Sequence, residues 1–234
     1  MTASKLVAVL RGLGNPEIAE HSQRFFKTGK GEYGEGDVFL GIRVPELRKV
    51  ARAYADMPLA QVLKALASKY HEVRLCAVLI LVRQFERGDP ALRRQIFDAY
   101  LDNTDHINNW DIVDSSAHQI VGGYLVDGDR SLLDSLAKSN VLWERRIAII
   151  ATLHFIRNNE FDDTLRIAER LLGDTEDLMH KAVGWMLREV GNRAPIVERA
   201  FLKPRYKSMP RTMLRYAIEK FPEDERQAFL RGDI

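Results

Sequence analysis

The chain has 234 residues, 46% of them hydrophobic and 29% charged, with 35 Lys and Arg against 33 Asp and Glu for a net charge of +2. That composition supports a sizeable core and excludes wholesale disorder, and the charge balance excludes a histone-like tail but not a local basic groove. A single cysteine, Cys76, excludes a disulfide-stapled scaffold and Cys-rich metal sites, and it fits a reducing compartment.

The N-terminal segment has only a short apolar run before Arg11, less than a signal peptide needs. The longest uncharged apolar stretch, Leu75–Val82, is closed by Arg83. A cytoplasmic protein without a membrane span is expected. Residues 28–37 hold four glycines and read as a loop. No Gly-Lys-Ser/Thr follows, so it is not a Walker loop. It is either a plain surface connection or a loop that touches a ligand at a groove mouth.

Helical periodicity covers most of the remainder. A helix opens at Val44-Pro45, with Leu47, Val50, Ala51 and Tyr54 at spacings of three and four. A short helix from Met57-Pro58 runs to Leu66, the next from Glu72 to Phe85, and another from Pro90 to Tyr100. Further helices are expected over 109–125, 130–138, 142–157, 161–172, 177–190, 194–202, 210–220 and 223–230. Arg74, Trp110, Arg146, Lys181 and Arg215 follow one another at steps of 34 to 36 residues near helix starts. Two helices per step of that length describe a helical solenoid. The tetratricopeptide consensus is not visible, and HEAT-like repeats fit better. The expected fold is therefore all-α: one domain over 1–234, a right-handed solenoid of HEAT-like antiparallel helix pairs with a concave groove.

Three segments could carry chemistry. In Asn109-Trp110-Asp111-Ile112-Val113-Asp114, Trp110 and Asp114 share one helix face, while Ile112 and Val113 point inward. Asp111 lies in the first turn, where a carboxylate caps the helix or opposes its dipole. Asp114 lacks that explanation: it is an active carboxylate or one half of an ion pair. Trp143-Glu144-Arg145-Arg146 places Arg146 at the repeat phase of Trp110, and Lys181–Trp185 places Trp185 at the phase of Asp114. The tryptophans are either ordinary core or, with Asp114 and Arg146, a cluster on the groove.

A carboxylate between indole faces and a guanidinium can stabilise a developing sugar cation. If the leaving base already carries positive charge, no second acid is needed. A cationic, alkylated purine is then an apt substrate, although a methylated peptide would satisfy the same residues. Between Arg193 and Arg215, seven basic residues face one acid, Glu198. This is a polyanion footprint or an inert solvated face. Glu72 and Arg74 read as ordinary surface or inter-helix pairs. The six histidines show no ligand spacing, so neither metal nor cofactor is expected.

These motifs, in this order, resemble the DNA alkylation repair family of HEAT-like glycosylases over almost the whole chain. The resemblance is carried by Phe25–Gly29, Phe39–Pro45, Asn109–Asp114, Trp143–Arg146 and Lys181–Trp185. It implies an N-glycosylase, a hydrolase that cuts 3-methyladenine and 7-methylguanine from double-stranded DNA without a deep base pocket. It further implies that Asp114 stabilises the sugar cation and positions water. Trp110 and Trp185 would pack against the deoxyribose, and Arg146 would hold the neighbouring phosphate, with Arg145 the alternative one register away. Phe25, with Phe26 beside it, stands where the family can carry a tyrosine. Phe25, Phe26, Lys27, Lys30, Arg145, Lys181, Arg205, Lys207 and Arg211 are the expected DNA contacts of a monomer. The rival readings are a DNA-structure-binding protein without catalysis and a protein-interaction scaffold.

Overall fold

A computed structural model describes residues 1–234 and divides into two compact units, Met1–Ile120 and Val121–Ile234. Both are built from helices. The only extended pairing is an isolated parallel bridge between Val38 and Tyr70. No helix is long and apolar enough to cross a membrane.

The first unit contains α1 (Ala3–Gly12), α2 (Pro16–Phe25), α3 (Val44–Ala53), α4 (Leu59–Leu66), α5 (His71–Arg87), α6 (Pro90–Leu101) and α7 (Trp110–Asp114). Helix starts follow their capping residues. The side chains of Thr2, Asn15 and Asp89 accept from Lys5, Ile18 and Leu92 backbone N–H groups at 3.3, 3.0 and 2.8 Å. The centre is α5, which packs against α1, α3, α4, α6 and α7. It is buried on almost every side from His71 to Val82, polar residues included.

The second unit contains α8 (Ser131–Ala137), α9 (Leu142–Ala151), α10 (Leu153–Arg157), α11 (Asp162–Leu171), α12 (Asp177–Gly191), α13 (Pro195–Leu202), α14 (Arg211–Ala217) and α15 (Glu223–Arg231). Here α12 is central, packed against α9, α10, α11, α13 and α14. Its approach to α14 depends on Gly184, where a Cβ would lie 2.4 Å from the Met213 carbonyl oxygen.

Most expected helices are present, with three differences. Two N-terminal helices precede the glycine-rich loop, capped by Thr2 and by Asn15-Pro16. The helix expected over 109–125 breaks after Asp114 and continues as a wide π-type turn at His118–Gly122. Ser116 Oγ donates back to the Ile112 carbonyl at 2.7 Å and competes with the helical ladder. The helix expected over 142–157 is interrupted at Thr152, whose hydroxyl donates to the Ile149 carbonyl at 2.7 Å.

Glu198 on α13 is 2% exposed and packs on Gly191. Burial, with Glu225 adding repulsion, pushes its carboxyl up to about 8 despite Arg199 and Arg188. The folded state therefore holds this proton more tightly than the unfolded chain, and stability falls as pH rises from about 4.5 towards 8. Glu198→Gln is expected to remove that slope. In urea titrations it should match the wild type at pH 4 and exceed it at pH 8 by up to roughly 5 kcal/mol.

Candidate active site

Helix α7 has only five residues, too few to hold itself by its own hydrogen bonds. It is fixed from below. Ile112 and Val113 are fully buried, while Trp110 and Asp114 are partly exposed, the division that the helical spacing predicts. Asn109 caps the helix through Oδ1, which accepts from the Trp110 N–H at 2.8 Å. Its Nδ2 donates to Asp37 Oδ2 at 3.0 Å.

Asp37, at the end of the glycine-rich loop, gathers a buried cluster. Its carboxylate also accepts from His71 Nδ1 at 3.0 Å and from Arg74 Nη2. His71 Nε2 donates to Asp111 Oδ2 at 2.8 Å. Burial pushes the Asp37 carboxyl up, but the His71 hydrogen bond, the Arg74 and His71 charges and Asn109 together hold it below the usual range. Burial likewise works against the charged form of His71, and is outweighed by the charges and hydrogen bonds of Asp111 and Asp37, which lift it to about 9. Beside it, Glu72 accepts three backbone N–H groups, from Leu40, Gly41 and Ile42, at 2.8, 2.7 and 3.2 Å. Gly41 has a φ of +81°, and a Cβ there would lie 2.0 Å from the Asn15 carbonyl oxygen.

Aromatic rings cover this cluster. Phe26 stacks on Trp110 at 5.2 Å and 12°, and on Phe39 at 4.9 Å and 28°. Phe39 stacks on His71 at 4.4 Å, and Phe25 meets Trp110 edge-on at 6.1 Å. A cavity of about 640 Å³ adjoins the layer, bounded by Ile18, Phe26, Phe39, Arg43, His71 and Asp111 among others. On the other side, Tyr100 is fully buried. Ser116 spends its proton on Ile112, so the Tyr100 hydroxyl donates to Ser116 Oγ at 2.8 Å. Burial raises the Tyr100 phenol, and the charge of Asp114 adds to that rise.

The remaining two members of the expected quartet belong to the second unit. Arg146 is 4% exposed and donates from Nη1 to the Leu178 carbonyl at 2.6 Å. Trp185 is partly exposed, and its indole N–H donates to Glu189 Oε1 at 2.9 Å. Trp143, 8% exposed, is core.

A family model described as DNA alkylation repair enzyme matches residues 6–221. The chain belongs to that family. Its all-α fold of HEAT-like helix pairs is shared with a predicted DNA alkylation repair enzyme from Enterococcus faecalis. That protein is 18% identical over 90% of this chain and 97% of its own, with a TM-score of 0.69. AlkD2 from Streptococcus mutans is 20% identical over 94% of this chain and 99% of its own, with a TM-score of 0.51. The smu.31 protein of Streptococcus mutans UA159 is 18% identical over 94% and 98%, also with a TM-score of 0.51. A search of the curated proteins gives no match.

In this alkylation-repair chain the expected DNA contacts fall into two groups. Lys27, Lys30, Lys207 and Arg211 are exposed, as is Phe25, while Phe26 is half-buried. Arg211 bonds the Leu230 carbonyl at 2.9 Å, and Lys207 lies over the Tyr206 ring. Arg145 is paired with Asp174 at 2.7 Å, Lys181 with Asp177 at 2.7 Å, and Arg205 with Glu169. Arg199 is paired with Glu225 at 2.6 Å. The basic excess counted over residues 193–215 is thus partly neutralised by acids from outside that window.

Sequence reading missed the Asp37–His71–Arg74 cluster and treated Glu72 and Arg74 as ordinary surface or pairing residues, whereas they are 3% and 4% exposed. The one available signal was the set of polar residues, His71, Glu72 and Arg74, just ahead of the apolar stretch of α5. Asp111 does sit in the first turn of α7, but its carboxylate reaches His71. Asp37→Ala is expected to leave Arg74 and His71 buried without their shared anion, lowering stability by about 3–5 kcal/mol in denaturant titration.

Proposed function

We propose that the chain is a DNA N-glycosylase that releases cationic purines of the 3-methyladenine and 7-methylguanine type from double-stranded DNA by hydrolysis. Membership in the alkylation-repair family supports the general activity. One observation carries the finer reading: a partly exposed indole, Trp110, precedes by one turn a partly exposed carboxylate, Asp114, on a helix whose inner side is fixed by buried contacts.

Alkylation at N3 or N7 makes the purine a cation, so the C1′–N bond can break with its electron pair returning to the ring. The base leaves neutral and needs no general acid. The sugar is left with oxocarbenium character, which an adjacent carboxylate stabilises. Asp114 is assigned that role and the orientation of the water that adds to C1′; the proton lost by the water passes to the carboxylate or to solvent. Trp110 and Trp185 are assigned contacts with deoxyribose, and Arg146 a contact with phosphate. The exposed Lys27, Lys30, Lys207 and Arg211 supply salt-dependent backbone attraction.

Single-turnover release of methylpurine from a methylated duplex tests the assignment. Asp114→Asn is expected to slow release on the order of 100-fold or more while duplex affinity stays within about threefold. Wild-type protein that binds the duplex at saturation and releases no base would leave a DNA-binding protein without catalysis. An unimpaired Asp114→Asn variant would remove this carboxylate from the reaction.

A further inference from the structure

We infer that His71 is a positioning residue: clamped between Asp37 and Asp111, its doubly protonated ring fixes the first turn of α7 and with it Trp110 and Asp114. The inference rests on the glycosylase reading for its consequence, but its geometry is independent of it.

Both ring nitrogens of His71 face carboxylate oxygens, at 3.0 and 2.8 Å. An ionised carboxylate only accepts, so both nitrogens must carry protons; a neutral ring would turn a lone pair towards one of the two anions. With the ring protonated, His71 and Arg74 balance Asp37 and Asp111. The other charged groups around the ring are accounted for. Glu72, next in α5, turns its carboxylate to the amides of Leu40, Gly41 and Ile42. Glu17 and His21 from α2 and Arg43 ahead of α3 line the adjoining cavity.

The weak end of the clamp is Asp111. Asp37 has donors from three residues, His71, Arg74 and Asn109. Asp111 has the His71 bond on Oδ2, and its Oδ1 is buried without a partner. Asn109 and Asp111 therefore both hang from the Asp37–His71 pair, one directly and one through the ring. Trp110 lies between them in sequence and projects to Phe26, which itself touches His71 at 4.9 Å. Loss of the ring proton releases Asp111 and leaves the first turn of the five-residue helix held by the Asn109 cap, the buried Ile112 and Val113 and the Phe26 stack, without its ionic anchor.

The test uses full-length protein labelled with 5-fluorotryptophan, with the Trp110 resonance assigned from Trp110→Phe. On titration from pH 6 to 10, the His71 ring and the Trp110 fluorine are expected to move together with a midpoint near 9, while Trp143 and Trp185 do not follow. Single-turnover base release should fall about tenfold per pH unit above the same midpoint. Asp111→Asn keeps the size and one oxygen but removes one anion. It should shift both the Trp110 midpoint and the alkaline limb of release downward by one pH unit or more, in parallel. A Trp110 signal that ignores the His71 titration, a midpoint at or below 6.5, or an alkaline limb unmoved in Asp111→Asn would overturn the inference. If the wild type releases no base at any pH, the glycosylase reading fails, and the fluorine titration alone decides whether His71 positions Trp110.

Discussion

One imidazole between two aspartates holds the first unit's site together. The acids come from the end of a loop and the start of a short helix, and neither could be buried alone without a large desolvation penalty. Protonated His71 donates to both, and Arg74 and Asn109 complete the coordination of Asp37. Partners this specific fit in only one arrangement, so the cluster sets the relative placement of the loop, α5 and α7 as well as its own satisfaction. Loop 40–42 is tied to the same end of α5 by Glu72, through ordinary peptide N–H groups.

Above the ions lies a continuous set of rings: Phe39 on His71, Phe26 on Phe39 and Trp110 on Phe26. Charge below fixes position, and flat apolar faces above transmit it to the partly exposed indole. Each stacking is worth about 1 kcal/mol beyond burial, so the layer alone would not hold a five-residue helix. Orientation of Trp110 and Asp114 comes from the combination. In the second unit, close approach does similar work, since Gly184 lets α12, which bears Trp185, lie directly against α14.

Much of the helical pattern was legible in the sequence because apolar spacing and proline starts are local signals. So was the division of α7, where Ile112 and Val113 are buried and Trp110 and Asp114 are not. The two helix breaks were hidden because Ser116 and Thr152 act through back-bonding hydroxyls that leave periodicity untouched. The ionic cluster was hidden for a different reason. Asp37, His71, Arg74, Asn109 and Asp111 are scattered along the chain, and each has an ordinary local explanation. Only their convergence reveals that the polar residues at the start of α5 are buried. The basic field was overcounted because Glu169 and Glu225, which neutralise Arg205 and Arg199, lie in other helices.

The glycine-rich loop is folded onto its own carboxylates: the Gly29 and Gly31 amides donate to Glu32 and Glu35, both at 2.8 Å. Its conformational entropy is therefore surrendered when the protein folds, and little remains to be lost at an encounter.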